Sequence, residues 1–191
     1  MPRNWRSSSK AGINKSLRIL DVSGNYHITD DADILWQLSS IEELRINDIP
    51  LLGTGSSFPE NYISKLSDLR VLEARNVGYG GTIPTSIGSL SKLEILNLEG
   101  SISISGTIPL ELWKLPKLRI LNLRGIGLEG HLPDDDDDLQ IGLSQALEVL
   151  DLGGNALNGT LPAILGTSMS NLGKYYSSSL FDCLCAFSVC M

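Results

Sequence analysis

Aliphatic residues recur along the chain at a spacing that fits neither a regular helix nor a simple strand. In residues 117–133, KLRILNLRGIGLEGHLP, leucines occupy positions 118, 121, 123, 128 and 132, with charged or small residues between most of them. An amphipathic helix would place them three and four apart, and a half-buried strand two apart. Only the step from 121 to 123 alternates in this way, so we expect one short strand followed by turns.

The underlying pattern, L-x-x-L-x-L, occurs six times. Its copies begin at residues 17, 41, 69, 93, 118 and 147, as in LRILDVSGN, LEILNLEG and LEVLDLGGN. The steps between them are 24, 28, 24, 25 and 29 residues, so the basic period is 24. A second motif follows the last four copies as YGGTIP, ISGTIP, LEGHLP and LNGTLP, with FP at 58–59 as a shortened form. Self-similarity at such a period indicates a repeat protein.

A single strand of this kind cannot bury its apolar face alone. Stacking one 24-residue coil on the next lets the strands pair in parallel and lets the leucines form a continuous inner column. The glycine before each I-P or L-P step suits a tight turn. The proline fixes φ and has no N–H to donate, which suits the turn onto the other side of the coil. Insertions in the longer frames, around residues 51–57 and 134–138, belong outside this core.

The complete pattern, L-x-x-L-x-L-x-x-N-x-L-x-G-x-I-P, resembles the plant-type leucine-rich repeat of receptor-like kinases, receptor-like proteins and polygalacturonase-inhibitor-like proteins. The resemblance covers residues 17–172, and L-x-G-x-I-P distinguishes this subclass. It implies a curved solenoid whose concave side is a parallel sheet that binds peptides or proteins. We therefore expect an α/β leucine-rich-repeat solenoid of about six repeats, with an irregular or short-helical convex side. Residues 1–16 are expected to be a polar tail, and residues 173–191 a cap or tail.

The sequence departs from the family pattern in two respects. The family's asparagine, which bonds to the backbone between coils, is present only as Asn25 and Asn155, so we expect irregular turns elsewhere. The residues that replace it are Ile49, Val77, Ser101 and Ile126. In addition, the family's cysteine-bearing N-terminal cap is absent, and neither a kinase domain nor a membrane span follows.

Composition excludes some classes of function. The 191 residues fit one domain, and 15 Lys and Arg against 22 Asp and Glu give a net charge of −7, five units of which come from residues 134–138. Without a basic stripe, nucleic-acid binding is not expected. The N-terminus has no apolar stretch of the kind a secretory signal needs, which predicts a cytoplasmic chain as written. A fragment of a receptor-like protein would instead be extracellular or at the plasma membrane.

Polar residues between and after the strand leucines are the candidates for a binding surface. The residues between the leucines are Asp21, Arg45, Glu73, Asn97, Asn122 and Asp151, and those two places further on are Ser23, Asn47, Arg75, Glu99, Arg124 and Gly153. They form either an ion-pair ladder, worth about 0.2–1 kcal/mol per pair, or a platform for a ligand. We expect the binding face to comprise Arg45, Asn47, Glu73, Arg75, Asn97, Glu99, Asn122, Arg124 and Asp151.

Other polar features give weaker signals. The run Asp134 to Asp138 lacks the spacing that makes aspartates converge on Ca²⁺, so it is expected to be a solvated loop without metal. The only cysteines, Cys183, Cys185 and Cys190, are too few for a zinc site. The family's C-terminal cap carries a cysteine pair, so the resemblance allows one disulfide if the protein is secreted. N-x-S/T triplets at Asn14 and Asn158 are possible glycosylation sites.

Neither a catalytic motif nor a cofactor-binding motif is present, so we expect a non-enzymatic module that binds a protein or peptide in signal perception or plant defence. One alternative is an intracellular leucine-rich-repeat module, such as the sensing end of an immune receptor or a scaffold. Another is an inhibitor of a secreted wall-degrading enzyme. The sequence leaves the ligand and the oligomeric state open.

Overall fold

In the computed structural model, the described residues are 16–28, 32–49, 57–132, 146–159 and 174–176. Seven short strands form one parallel sheet in the order of the chain. They are β1 (Ile19–Asp21), β2 (Glu43–Arg45), β3 (Val71–Glu73), β5 (Ile95–Asn97), β7 (Ile120–Asn122), β9 (Val149–Asp151) and β11 (Lys174–Tyr176). The first six belong to the six predicted coils. Strand β11 extends the sheet by one strand beyond residue 172.

The predicted column of leucines forms the centre of the solenoid. The parallel register aligns Leu20, Leu44, Leu72, Leu96, Leu121 and Leu150 across the strands. From the second coil to the sixth these side chains have no exposed surface. Full burial of one leucine stabilises the fold by about 1.5–3 kcal/mol. The predicted leucine-rich-repeat solenoid with a parallel sheet is confirmed.

Short helices form part of the opposite side of the coils, as expected. They are a 3₁₀ helix at Ala32–Gln37, α1 (Glu60–Ile63), a second 3₁₀ helix at Thr85–Ser89 and α2 (Leu110–Trp113). A proline stands directly before each of the last three, at Pro59, Pro84 and Pro109. Proline is favourable there because the first N–H groups of a helix have no intrahelical acceptor. Inward-facing residues such as Ile87 and Leu112 complete the core.

A second series of parallel strands follows the glycine-containing motifs. Its elements are β4 (Gly81–Thr82), β6 (Ile104–Ser105), β8 (Glu129–His131) and β10 (Ala156–Asn158). Strand β4 pairs with β6 and β8 pairs with β10, while a single bridge from Gly106 to Leu128 joins the two pairs. The sequence pattern does not predict these strands, because two or three residues are too few to show an alternation.

Gly106 shows why the second motif contains a glycine. Its φ is +81°, in the left-handed region that favours glycine. A Cβ atom at this position would lie 2.8 Å from Cγ2 of Thr82 in the preceding coil. At Gly130 the corresponding distance, to Cγ2 of Thr107, is 3.0 Å. The glycine therefore makes the turn and also leaves room for the threonine methyl group of the neighbouring coil.

Asn155 satisfies backbone groups of two successive coils. Its Nδ2 donates to the carbonyls of Leu123 and Leu152, at 2.7 and 2.9 Å. Its Oδ1 accepts the N–H groups of Ile126 and Leu128, at 3.2 and 3.1 Å. Buried backbone groups need such partners because an unsatisfied group costs about as much as a lost hydrogen bond.

Ser101 has the equivalent role in the fourth coil. Its hydroxyl donates to the carbonyl of Ala74 at 2.9 Å and accepts the N–H of Val77 at 3.2 Å. These two groups correspond in position to Leu123 and Ile126 around Asn155. The loss of asparagine therefore does not leave this turn unsatisfied, contrary to the expected irregularity.

Several expectations concern residues outside the described ones: the polar tail before residue 16, the aspartate run at 134–138, the three cysteines and the Asn14 triplet. The helices of the described residues are too short and too polar for any of them to cross a membrane.

We expect Leu121→Asp to unfold several coils, because it places a charge in a column that excludes water. Ile102→Asp is the matched control, since the Ile102 side chain is 81% exposed. Thermal unfolding followed by circular dichroism should show a large fall in Tm for the first variant and almost none for the second. Equal melting of Leu121→Asp and the parent protein would contradict the column.

Candidate binding surface

The concave sheet aligns the candidate residues in two rows. The central row occupies the last position of each strand, and the strand register places its members side by side: Asp21, Arg45, Glu73, Asn97, Asn122 and Asp151. The outer row lies two residues further along each coil and contains Ser23, Asn47, Arg75, Glu99, Arg124 and Gly153. Both rows follow the order expected from the sequence.

Aspartate and asparagine in the central row hold the turn that follows each strand. The Oδ1 atom of Asn97 accepts the N–H of Glu99, and that of Asn122 accepts the N–H of Arg124, both at 3.1 Å. Asp21 and Asp151 make the same bond two residues ahead, at 3.0 and 2.9 Å. The same bond from the Ser23 N–H is the main cause that lowers the pKa of Asp21. One side-chain oxygen in each of these four coils is therefore part of the scaffold.

In the second and third coils, the neighbouring coil supplies the acceptor for the equivalent N–H group. Arg45 and Glu73 occupy the central row there. The N–H of Asn47 donates to the hydroxyl of Ser23 at 3.1 Å, and the N–H of Arg75 donates to Oδ1 of Asn47 at 3.0 Å. Asn47 is only 7% exposed. The Asn47 side chain thus serves to hold the backbone of the next coil, and the binding surface proposed below does not include it.

Arg45 lies between two carboxylates. Its Nη1 is 2.7 Å from Oε2 of Glu43, and its Nε is 3.3 Å from Oε2 of Glu73. The hydrogen bond that Arg45 donates to Glu43 is the main cause that raises the pKa of Arg45, so the guanidinium is firmly charged. This end of the surface is a compact group of one cation and two anions.

Arg75 and Arg124 lie further along the outer row, and their ion-pair partners among the described residues are distant. Arg75 is 3.9 Å from Asp48, and Arg124 is 4.0 Å from Asp151. Glu99, between them, accepts a hydrogen bond from Nδ2 of Asn122 at 3.2 Å. The expected ion-pair ladder of Arg75, Glu99 and Arg124 is therefore not formed, because each of the three has another partner.

These residues surround a shallow cavity of about 240 Å³, which we call the arginine notch. Its lining residues are Arg75, Asn76, Glu99, Gly100, Arg124 and Gly125. The notch is open at Gly125, where a Cβ atom would have no heavy atom within 4 Å, whereas Oδ1 of Asn76 fills the corresponding space at Gly100. The side chains of Arg75 and Arg124 are 42% and 56% exposed, so both guanidinium groups are accessible to a ligand.

An aliphatic row that was not predicted from the sequence runs beside the central row. It occupies the first position of the strands, where Ile95, Ile120 and Val149 are half-buried, and Ile19 is 56% exposed. Within the first six strands Glu43 is the one charged residue of this row, and Lys174 of β11 ends it. The signal was present in the recurring I-L or V-L step of each copy, whose first residue points away from the core. The concave face therefore offers an apolar strip next to its polar rows.

Asn158 lies in the second series of strands, opposite His131 in β8. It is exposed, as a glycan acceptor must be. Within the described residues no three His, Cys, Asp or Glu side chains are grouped as metal ligands.

Comparison with known proteins defines the class. A family model of the leucine-rich repeat matches residues 146–168. The LRR ectodomain of the receptor kinase SOBIR1 from Arabidopsis thaliana is 31% identical, over 62% of this chain and 63% of its own, with a TM-score of 0.53. The chain thus has the leucine-rich-repeat fold. Together with the recurring L-x-G-x-I-P motif, these similarities identify its repeats as the plant type.

Two further structures resemble the chain. The LRR ectodomain of the Arabidopsis thaliana receptor kinase GASSHO1/SCHENGEN3, in complex with CASPARIAN STRIP INTEGRITY FACTOR 2, is 28% identical over 77% of this chain and 16% of its own, with a TM-score of 0.61. A plant ice-binding protein is 26% identical over 77% of this chain and 44% of its own, with a TM-score of 0.63. The chain spans less than two thirds of each of these proteins. Among curated protein sequences no relative matches it.

We expect Asn47→Ala to destabilise the protein by about 1–3 kcal/mol, because it leaves the N–H of Arg75 without its acceptor in a partly buried position. Arg124→Ala should leave the free energy of unfolding nearly unchanged, since its ion pair is long and exposed. Urea unfolding of both variants measures the difference. Equal stabilities would mean that Asn47 is not part of the scaffold.

Proposed function

We propose that the chain is a non-enzymatic binding module, which holds a protein or peptide on its concave face. The contact residues are Arg45, Glu73, Arg75, Asn97, Glu99, Asn122, Arg124 and Asp151, together with the aliphatic row. The observation that carries the proposal is the arginine notch, where two exposed guanidinium groups lie on the same face as the aliphatic row, with the central row between them. A binding surface with an apolar centre and a polar rim has the usual composition of a protein interface.

The chemistry of the notch favours an acidic side chain as the group that it receives. Arg75 and Arg124 present planar donors that match a carboxylate, and their present partners lie 3.9 and 4.0 Å away. Hydrogen bonds to charged groups contribute about 1.5–3 kcal/mol each. The aliphatic row adds contacts with apolar side chains of the same ligand. Arginine is also among the residues most often found at binding hot spots.

The known relatives support a binding role without identifying the ligand. The GASSHO1/SCHENGEN3 ectodomain was solved with a bound factor, whereas another similar structure is an ice-binding protein. One fold thus serves different ligands, and function must be argued from the surface. Here the concave rows are mostly charged and amide side chains, which suit a protein or peptide. We infer a role in signal perception or defence outside the cell, in keeping with the ectodomains that the chain resembles.

An extracellular location has a consequence for Asn158. The triplet Asn158-Gly159-Thr160 is then a glycan acceptor on the second series of strands, away from the concave face. After secretion from a plant cell line, we expect the protein to lose mass on treatment with a peptide N-glycosidase. Asn158→Gln should abolish the share of this mass loss that comes from a glycan on Asn158. A secreted protein with no glycan on Asn158 would contradict this assignment.

Binding to an array of random synthetic peptides tests the proposed function. We expect the parent protein to select peptides that combine acidic and aliphatic residues. Arg75→Glu/Arg124→Glu should weaken binding by roughly a hundredfold, since it removes at least about 3 kcal/mol of charged contacts.

Lys65→Glu/Lys114→Glu is the matched control. Both lysines are exposed next to α1 and α2, on the other side of the coils, and this variant makes the same change in net charge. It should bind the selected peptides as the parent does. Unchanged binding by the arginine variant, or equal loss in both variants, would exclude the arginine notch as the contact site.

A further inference from the structure

Six charged residues run along the edge where the concave strands begin. They occupy the second position of L-x-x-L-x-L and alternate in sign throughout: Arg18, Glu42, Arg70, Glu94, Arg119 and Glu148. Each of the last five donates its backbone N–H to the carbonyl of the residue before it in this row, at 2.7 or 2.8 Å. They are therefore neighbours in this order, about 5 Å apart. We call this row the charge ladder and each residue a rung.

Within the chain, the rungs form three separate pairs. Arg18 lies 3.3 Å from Glu42, and Nε of Arg70 lies 2.9 Å from Oε1 of Glu94. Arg119, in the fifth coil, donates two hydrogen bonds to the carboxylate of Glu148 in the sixth, from Nε at 2.8 Å and from Nη2 at 2.9 Å. The pairing raises the pKa of the Arg119 guanidinium, chiefly through the hydrogen bond with Glu148. Exposed pairs of this kind contribute only about 0.2–1 kcal/mol to folding, so the charges are also available to a partner.

An alternating row with an even number of rungs is complementary to its own reverse. A two-fold axis brings the same edge of two copies together in opposite directions, so the first rung faces the sixth. Every arginine then faces a glutamate. The facing pairs across the axis are Arg18 with Glu148, Glu42 with Arg119, and Arg70 with Glu94. The strands are spaced equally in the two copies, so each rung stays opposite its partner along the whole edge.

The neighbouring row is consistent with the same arrangement. Two residues before each rung, the chain carries Ser16, Ser40, Asp68, Lys92, Lys117 and Ala146. In the reversed alignment Asp68 faces Lys92, and the other four positions bring no two charges of the same sign together. In the single chain, Nζ of Lys92 is 2.6 Å from Oδ1 of Asp68. Two adjacent rows thus satisfy the two-fold arrangement.

We propose that the charge ladder is a self-association surface, which joins two copies of this chain edge to edge about a two-fold axis. The surface uses none of the residues of the arginine notch, so it is independent of the proposed ligand. It is a narrow strip of exposed charges, and the dimer is therefore sensitive to salt. The Debye length falls from about 10 Å at 0.1 M to about 3 Å at 1 M salt.

Analytical ultracentrifugation of the purified protein tests the association. We expect dimer at about 0.1 M NaCl and monomer at about 1 M NaCl, because salt screens the facing charges. A parent protein that remains monomeric at low salt overturns the proposal. So does a dimer that is equally stable at both salt concentrations.

Exchanging charges within one pair keeps that pair but changes what faces it across the axis. Arg18→Glu/Glu42→Arg places like charges opposite each other in both contacts, so dimerisation should weaken at least about tenfold. Arg70→Glu/Glu94→Arg exchanges two rungs that face each other, so the dimer should persist. Within the chain, this control creates two pairs of adjacent rungs with like charges, whereas the first variant creates one such pair. If repulsion within the chain were the cause, the control would therefore weaken the dimer more than the first variant.

Mixing two variants gives a second, independent test. Alone, Arg119→Glu/Glu148→Arg should also dimerise at least about tenfold more weakly than the parent. Mixed with Arg18→Glu/Glu42→Arg, it meets an opposite charge at every rung, so we expect a one-to-one heterodimer. Circular dichroism verifies that both variants are folded. Failure of the folded pair to associate, or dimerisation of either variant alone as in the parent, overturns the proposed surface.

Discussion

Every feature of this molecule depends on the burial of one leucine per coil against the leucines of the adjacent coils. None of these coils has a core of its own, because its strand is three residues long and its helix, where present, has at most six. The register that places Leu96 between Leu72 and Leu121 also sets the spacing of every side chain on the surface. One stacking contact, repeated along the chain, thus sets the positions of the central and outer rows, the second series of strands and the charge ladder.

The polar residues of the concave face divide into two groups with different physical roles. Asn47, Asn97 and Asn122 each use Oδ1 to hold a turn N–H, either in their own coil or in the next. Arg75 and Arg124 are held in place by those turns, and their own guanidinium groups make only long contacts. This arrangement suits recognition, because the backbone is already held in place while the guanidinium groups can still bind a ligand. Binding then costs little conformational entropy.

The repeat predicted the parts of the structure that recur with it. The leucine column, the strand that contains Leu121 and the rows of Asn97 and Arg75 follow from positions in the frame. What depends on contacts between coils could not be read in this way. Asn47 sits at a surface position in the pattern, yet its oxygen accepts the N–H of a residue 28 positions away. Ser101 takes the place of an asparagine because its hydroxyl reaches the same two backbone groups.

The charge ladder gives the number of coils a meaning beyond length. Alternation and an even count together make the edge match its own reverse, whereas five or seven rungs of the same alternation would set arginine against arginine. Loss of the coil at either end would leave five alternating rungs, and every facing contact would then join like charges. Removal of one terminal coil would therefore separate the two copies without altering any residue of the arginine notch.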